Sequence, residues 1–358
     1  MSKIPEIAAR RLLSQQIARP AFATPGELVS WMGAVQAQDY LACQWAVGLR
    51  LSGAATDADF ERAIADRSMF RIHALRGTWQ LIAPADVRWM LELVASRLLA
   101  GNATRYRQLE LDAATFRSSN AAIAKALQGG KSLTRGELAS ALEKTSISTA
   151  GQRMAHLLQR AELEGLICGA ARRGKQFTYA LLDDWAPDSH KLKRNEALAE
   201  LARRYFRSRG PATLDDFKWW SGLAPAEARA GLEAVESSLA SQIIDGRTFW
   251  FDEKTKPVQS SKAFLLPAFD EYLVAYRNRD AVLDPKYVKR LNAGGGMLGT
   301  CIVLEGRVIG TWKRTLARAG VAIELDFFET PTKRAQQAAA AAARRYGAFL
   351  GLEIRVTG

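Results

Sequence analysis

The chain has 358 residues, 48% apolar and 24% charged, a balance that excludes a disordered or fibrous protein and allows several small units with buried cores. Lys and Arg outnumber Asp and Glu by 50 to 37, a formal net charge of +13, which points to a polyanionic partner: nucleic acid before a membrane surface. The three cysteines (Cys43, Cys168, Cys301) and three histidines (His73, His156, His190) are scattered, so neither a disulfide framework nor a metal signature is read. No apolar run is long enough to span a bilayer, and Met1-Ser2-Lys3-Ile4-Pro5 lacks the core of a signal peptide. A reducing, cytoplasmic location is expected.

From the N-terminus, the pattern predicts a helix over 7–19, ended by Pro20. Thr24-Pro25-Gly26-Glu27 is a helix start, with Thr24 as N-cap, Pro at the first position and Glu three residues after the cap. That helix is expected to reach Val35. The stretch Ala34-Val35-Gln36-Ala37-Gln38-Asp39-Tyr40 then leads into an apolar helix over 41–51. A short helix over 56–65 precedes one or two strands over 70–83, rich in β-formers. Pro84-Ala85-Asp86 opens a long helix to Ala100.

A pattern then occurs twice. Helices over 118–127, from the Thr134–Glu137 capping box, and over 149–164 lead into a hairpin, 165–169 with 176–181. Its turn is the basic Arg172-Arg173-Gly174-Lys175. Helices over 195–209, over 214–221 capped by Thr213, and over 224–239 lead into a second hairpin that turns at Asp245-Gly246. Three helices and a hairpin is the winged helix-turn-helix order. From Ala263 the chain is mixed β: a strand over 263–267, a hairpin of 300–304 with 307–313, a strand over 321–328, an Ala-rich helix over 332–350 and a last strand over 352–356. The expected fold is α+β, with tandem winged helix-turn-helix units and a C-terminal mixed β-rich region. The expected domains are 1–117, winged-helix-like and carrying the glutamine stretch; 118–190 and 191–256, a second and third winged helix; and 257–358, the β-rich region with the Ala-rich helix.

Five blocks occur in order across nearly the whole chain. They are Val35-Gln36-Ala37-Gln38; Leu75-Arg76-Gly77-Thr78-Trp79-Gln80-Leu81; Gly210-Pro211-Ala212-Thr213 with Trp220-Ser221-Gly222-Leu223; Leu265-Leu266-Pro267-Ala268-Phe269-Asp270-Glu271; and Gly310-Thr311-Trp312. Together they resemble the winged-helix DNA glycosylases typified by AlkZ and YcaQ, in the branch with a Gln-x-Gln signature. Two positions depart from that pattern. Gln80 stands where many relatives have His, and Ala37 is smaller than the usual aliphatic residue between the glutamines. The YcaQ-like branch has Asp at the position of Gln38; here Asp39 follows one residue later.

The resemblance implies a monofunctional hydrolase without metal or cofactor, acting as a monomer on double-stranded DNA with alkylated or crosslinked purines, some relatives being unhookers of interstrand crosslinks. A glutamine cannot take a proton at neutral pH but donates and accepts hydrogen bonds. That suits a cationic N3- or N7-alkylated purine, which leaves as a neutral base without a general acid. Gln36 and Gln38 would place water and stabilise the sugar cation. They face one way only if the stretch is extended, since residues two apart diverge on a helix. Asp39 is either an electrostatic helper in catalysis or the N-cap of the next helix. No lysine stands beside the motif, so lyase chemistry is not expected.

Basic elements fit phosphate contacts. Arg172, Arg173 and Lys175 lie at a wing tip. Arg203 and Arg207 belong to a dense basic stretch running from Lys191 through Arg204 to Arg209. Arg76, Trp79 and Gln80, in the Arg-Gly-Thr block, are further candidates for contact with DNA, and Trp79 is a candidate for base stacking. Lys286, Lys289 and Arg290 precede a glycine tip, so 284–297 is read as a hairpin entering a groove. Asp270, Glu271, Arg277 and Arg279 are read as a structural ion cluster or a network behind the site. The competing reading is a non-catalytic winged-helix protein, a regulator or lesion sensor. A regulator of this kind is usually a symmetric dimer on a palindrome; three tandem units in one chain argue against it.

Overall fold

Ala263-Phe264-Leu265-Leu266 is apolar at every position because its strand is covered on both faces. In the computed structural model, which describes residues 4–255, 260–292, 294, 298–317 and 320–358, this strand is the edge of a five-stranded sheet. Its neighbours follow in the order Cys301–Leu304, Arg307–Ala317, Gly320–Phe327 and Glu353–Thr357. Pairing is antiparallel except between the last two strands, which are parallel and joined through the Lys333–Leu350 helix. Ala263 and Leu265 face that helix, in a core with Trp45, Ile302, Trp312, Ile323, Ala342 and Tyr346. Phe264 and Leu266 face the other way, into a core with Leu12, Tyr272, Val303 and Val308.

The chain folds as two compact units, one made of Met1–Phe60 with Leu198–Gly358, the other of Glu61–Ala197. The first holds the sheet above, the helices Ile4–Ser14, Pro25–Met32, Tyr40–Gly48, Arg194–Arg209 (from Leu198 onward), Leu214–Ser221 and Pro225–Glu233, and the hairpin Ala240–Ile244 with Arg247–Phe251. Local signals set several of its boundaries. Thr24 and Thr213 each form a full capping box, and Asp245 and Gly246 turn the hairpin with φ of 48° and 70°. Two expected helices end well before their patterns. The first ends at Ser14, before Pro20, because Gln16 turns to φ 61° and Ile17 and Ala18 both donate back to Leu12. The third helix of the second repeat ends at Glu233; a single 3-10 turn, Glu236–Ser238, leads into a strand from Ala240.

In the second unit, the strands Phe70–His73 and Trp79–Ile82 pair antiparallel, with His73 opposite Trp79. The helices Val87–Gly101, Ala103–Gln108, Ala113–Leu127, Arg135–Glu143 and Arg153–Leu163 precede the hairpin Ile167–Arg173 with Gln176–Leu181, to which Leu133–Thr134 adds a short third strand. Phe116, Ile123, Leu138, Leu142, Leu157, Leu158 and Ile167 form its core. The Ala113 helix begins five residues before the expected 118, since Asp112 accepts the Thr115 N–H and caps it there. The helix expected from 149 begins only at Arg153. Among the described residues, no helix is long and apolar enough to cross a membrane.

Candidate active site

The Pro25–Met32 helix stops at Gly33, whose φ of +75° turns the chain out of the helical path. Val35–Gln36 is extended, and Asp39 starts the Tyr40–Gly48 helix by accepting the Ala42 N–H at 3.0 Å. One edge of this connection is held by two buried side chains. Arg209, the last residue of its helix, donates Nη1 to the Met32 carbonyl (2.7 Å) and Nη2 to the Ala34 carbonyl (2.6 Å). Its Nε donates to Glu271 Oε2 (2.8 Å), and Glu271 Oε1 accepts the Gln36 N–H (2.9 Å). The indole N–H of Trp220 donates to Glu271 Oε2 as well, at 3.0 Å. Backbone groups at 32, 34 and 36 therefore meet one ion pair, which holds the chain through the Gly33 turn and into the extended Val35–Gln36 segment.

The backbone is extended at Val35–Gln36 only; Gln38 lies in a bend before the Tyr40 helix, so the extended stretch expected to carry both glutamines ends before the second of them. Gln36 is buried, Ala37 fully so, and Gln38 and Asp39 are exposed. Asp39 has the N-cap geometry that was one of its two expected roles. Arg314 lies near enough to feel its charge. Burial holds the Arg314 guanidinium below its usual range, and Asp39 works against that shift.

Asp270 and Glu271 do form an interior ion network, but with other partners than Arg277 and Arg279. Arg50 binds both Asp270 oxygens, at 2.7 and 2.8 Å, and also reaches the Gln15 and Ala46 carbonyls. Arg279 donates to the Leu273 carbonyl instead, and the Arg277 backbone N–H goes to Asp216. Arg209 was read as part of a DNA-facing basic stretch; it is fully buried, and that reading is corrected. Arg11, Arg50 and Arg209 are the interior cations that sequence alone did not single out. Arg50 lies just past the end of its helix and Arg209 ends its own, while Arg11 lies inside one, so no shared short-range signal marks them.

The remaining basic candidates of this unit are nearer the surface. Arg203 is exposed and paired with Glu200, and Arg207 is half-buried, its guanidinium 3.9 Å from the Trp31 ring centre. Lys286 binds Glu329 at 2.9 Å, Arg290 binds both oxygens of Asp326, and Lys289 is exposed. The segment expected as a hairpin is instead a 3-10 turn, Pro285–Tyr287, and a helical turn, Val288–Leu291, closed by a bridge between Asn292 and Leu298. Pro285 fixes φ for a helical start, with Asp284 as its cap. Ala293, Gly295, Gly296 and Met297 of the expected tip lie outside the described residues.

In the second unit, Arg76 takes φ 59° in the turn between the strands, and Trp79 is half-buried beside His73 and Arg71. Gln80 is 1% exposed and donates to the Thr78 hydroxyl at 2.8 Å, so its expected place on a DNA-facing surface is corrected to the interior. Arg172 pairs with Glu61 at 2.8 Å and Arg173 with Glu137 at 2.7 Å, while Lys175 is exposed at the turn. Backbone hydrogen bonding at Thr134, then Arg173, pulls the Glu137 carboxyl down to about 2. Among the described residues, no group of three His, Cys, Asp or Glu side chains is placed to hold a metal ion.

Residues 29–349 match the family model described as DNA glycosylase AlkZ-like. The chain is 25% identical over 361 aligned residues, 96% of each protein, to an interstrand DNA cross-link repair glycosylase of Streptomyces sahachiroi. Its fold is similar to the solved structure of the Streptomyces sahachiroi DNA glycosylase AlkZ, with a TM-score of 0.76, 23% identity and full coverage of both chains.

Proposed function

The chain belongs to the AlkZ-like DNA glycosylase family, and from that premise we infer that it hydrolyses the N-glycosidic bond of cationic N7- or N3-alkylated purines in duplex DNA, interstrand crosslinks included. The observation that carries the reading is the Arg209–Glu271 clamp, which holds the Gln36 backbone extended and leaves Gln38 exposed at its end. As the bond from C1′ to the base nitrogen breaks, its electron pair stays on the base and cancels the positive charge there. The sugar becomes oxocarbenium-like. Water held by the Gln36 and Gln38 carboxamides adds to C1′ and loses its proton to solvent. Such pre-set hydrogen-bonding groups act on charge that develops only in the transition state. Asp39 supports this by capping the helix that follows, which fixes where Gln38 ends.

The repeated order of helices and hairpin supports a reading of 118–190 and 191–256 as winged helix-turn-helix units. In that reading Lys175 approaches a phosphate directly, and Arg172 and Arg173 exchange Glu61 and Glu137 for phosphate oxygens. Arg203, Arg207, Lys286, Lys289 and Arg290 supply further charge without reading sequence.

The test is base release from DNA carrying N7-methylguanine and, separately, from an N7–N7 interstrand crosslink. The wild type should release base from one or both, and Gln36→Ala and Gln38→Ala should each lose on the order of 100-fold in rate. Intact DNA binding with no release from either substrate would end the proposal.

A further inference from the structure

Trp79 is wedged between two side chains of the strand beside it. The His73 ring lies 3.8 Å away, centre to centre, tilted by 39°, and the Arg71 guanidinium carbon is 3.9 Å from the Trp79 ring centre. The same guanidinium reaches the Phe177 ring at 5.1 Å, so Arg71 bridges aromatic rings from two hairpins. Trp79 and Arg71 are half-buried, and Phe177 keeps 39% of its surface in solvent. Beneath them lies an unusual support. Glu162 is fully buried; its Oε2 meets His73 Nδ1, and its Oε1 has no hydrogen-bond partner among the described residues. Burial raises the Glu162 pKa, with His73 opposing that shift. A buried carboxylate oxygen left without a donor is costly, and such groups need a reason for being there. Here the bond to Nδ1 fixes the orientation of the imidazole that packs against Trp79.

We propose that Trp79, Arg71 and Phe177 form a stacking platform for an unpaired nucleobase of DNA, held in place by the buried Glu162–His73 pair. The proposal rests on the glycosylase reading above, since a base acted on by such an enzyme is commonly taken out of the duplex stack. The exposed Phe177 ring, with the planar Arg71 guanidinium beside it and Trp79 behind that guanidinium, suits any base, since every base has a π face. Arg172, Arg173 and Lys175 lie on the same hairpin as Phe177, so phosphates of the same strand meet cations next to the rings. Glu162 and His73 touch no DNA; they are positioning residues.

The experiment uses the full chain and a single-stranded oligonucleotide with one 2-aminopurine, whose fluorescence is quenched on stacking. The wild type should quench it. Phe177→Ala should lose the quench and bind the single strand about tenfold more weakly, with duplex affinity changed by no more than about twofold. Glu162→Leu should repeat that loss, and Glu162→Gln should restore the quench, because its carbonyl still accepts from Nδ1–H. Thermal unfolding confirms that each variant is folded. Unchanged single-strand binding by Phe177→Ala overturns the platform, and equal losses in Glu162→Gln and Glu162→Leu overturn the positioning pair. Base release by the wild type is measured alongside. Release together with an inert Phe177→Ala removes the platform and leaves the glycosylase mechanism standing. Quenching without release does the reverse.

Discussion

Arg209 and Glu271 meet at 2.8 Å with neither side chain reaching solvent, and between them they bind three alternate backbone positions of the chain leading to Gln38. Their separation in sequence is 62 residues, and Glu271 lies 235 residues from Gln36. Removing one charge strands the other. Arg209→Met should therefore destabilise the protein by about 3–5 kcal/mol, read as a lower denaturant midpoint, and should lower base release along with it. A variant as stable and as active as the wild type would show that the clamp does not set the segment.

The two glutamines should separate by stability. Gln38 is exposed, so Gln38→Ala should stay within about 0.5 kcal/mol of the wild type while its base release falls. Gln36 is 7% exposed, and Gln36→Ala should lower both stability and rate. Thermal melts of the two variants, run beside the release assay, check the difference. Equal melts would place Gln36 in solvent.

Asp39 offers a choice between charge and cap. Asn caps a helix about as well as Asp, so Asp39→Asn should keep both stability and base release. Asp39→Ala should lose about 1 kcal/mol through the unpaired Ala42 N–H. Collapse of activity in Asp39→Asn, with stability intact, would assign Asp39 a catalytic charge.

Glu137 makes the acid behaviour of the second unit predictable. Its pKa falls from 4.5 to about 2 in the folded chain, first through the Thr134 backbone N–H and then through Arg173. A depressed carboxyl stabilises the fold above its unfolded value and loses that contribution as pH falls. The capping of the Arg135–Glu143 helix should therefore weaken between pH 4.5 and about 2. Glu137→Gln should flatten stability against pH across that window. An unchanged profile would assign the acid transition to other carboxyls.

Part of the site was legible in residue order. The extended backbone at Val35–Gln36 and the Asp39 cap follow from short spacings, and so do the Thr24, Thr134 and Thr213 capping boxes and the Asp245-Gly246 turn. Each depends on groups within a few residues of one another, so the local chain carries its own partner. Helix ends without such a signal were misplaced, as at Ser14 and Glu233.

What tertiary structure alone decided is which charges lie inside. Arg203 and Arg209 sit in one helix and one basic stretch, yet Arg203 is exposed and Arg209 is fully buried. Gln80, in a block that looked DNA-facing, is interior as well. A buried guanidinium is tolerable only where a carboxylate and carbonyls from distant segments converge on it. For Arg209 those partners are Glu271, Met32 and Ala34, and no short window of the chain contains them together.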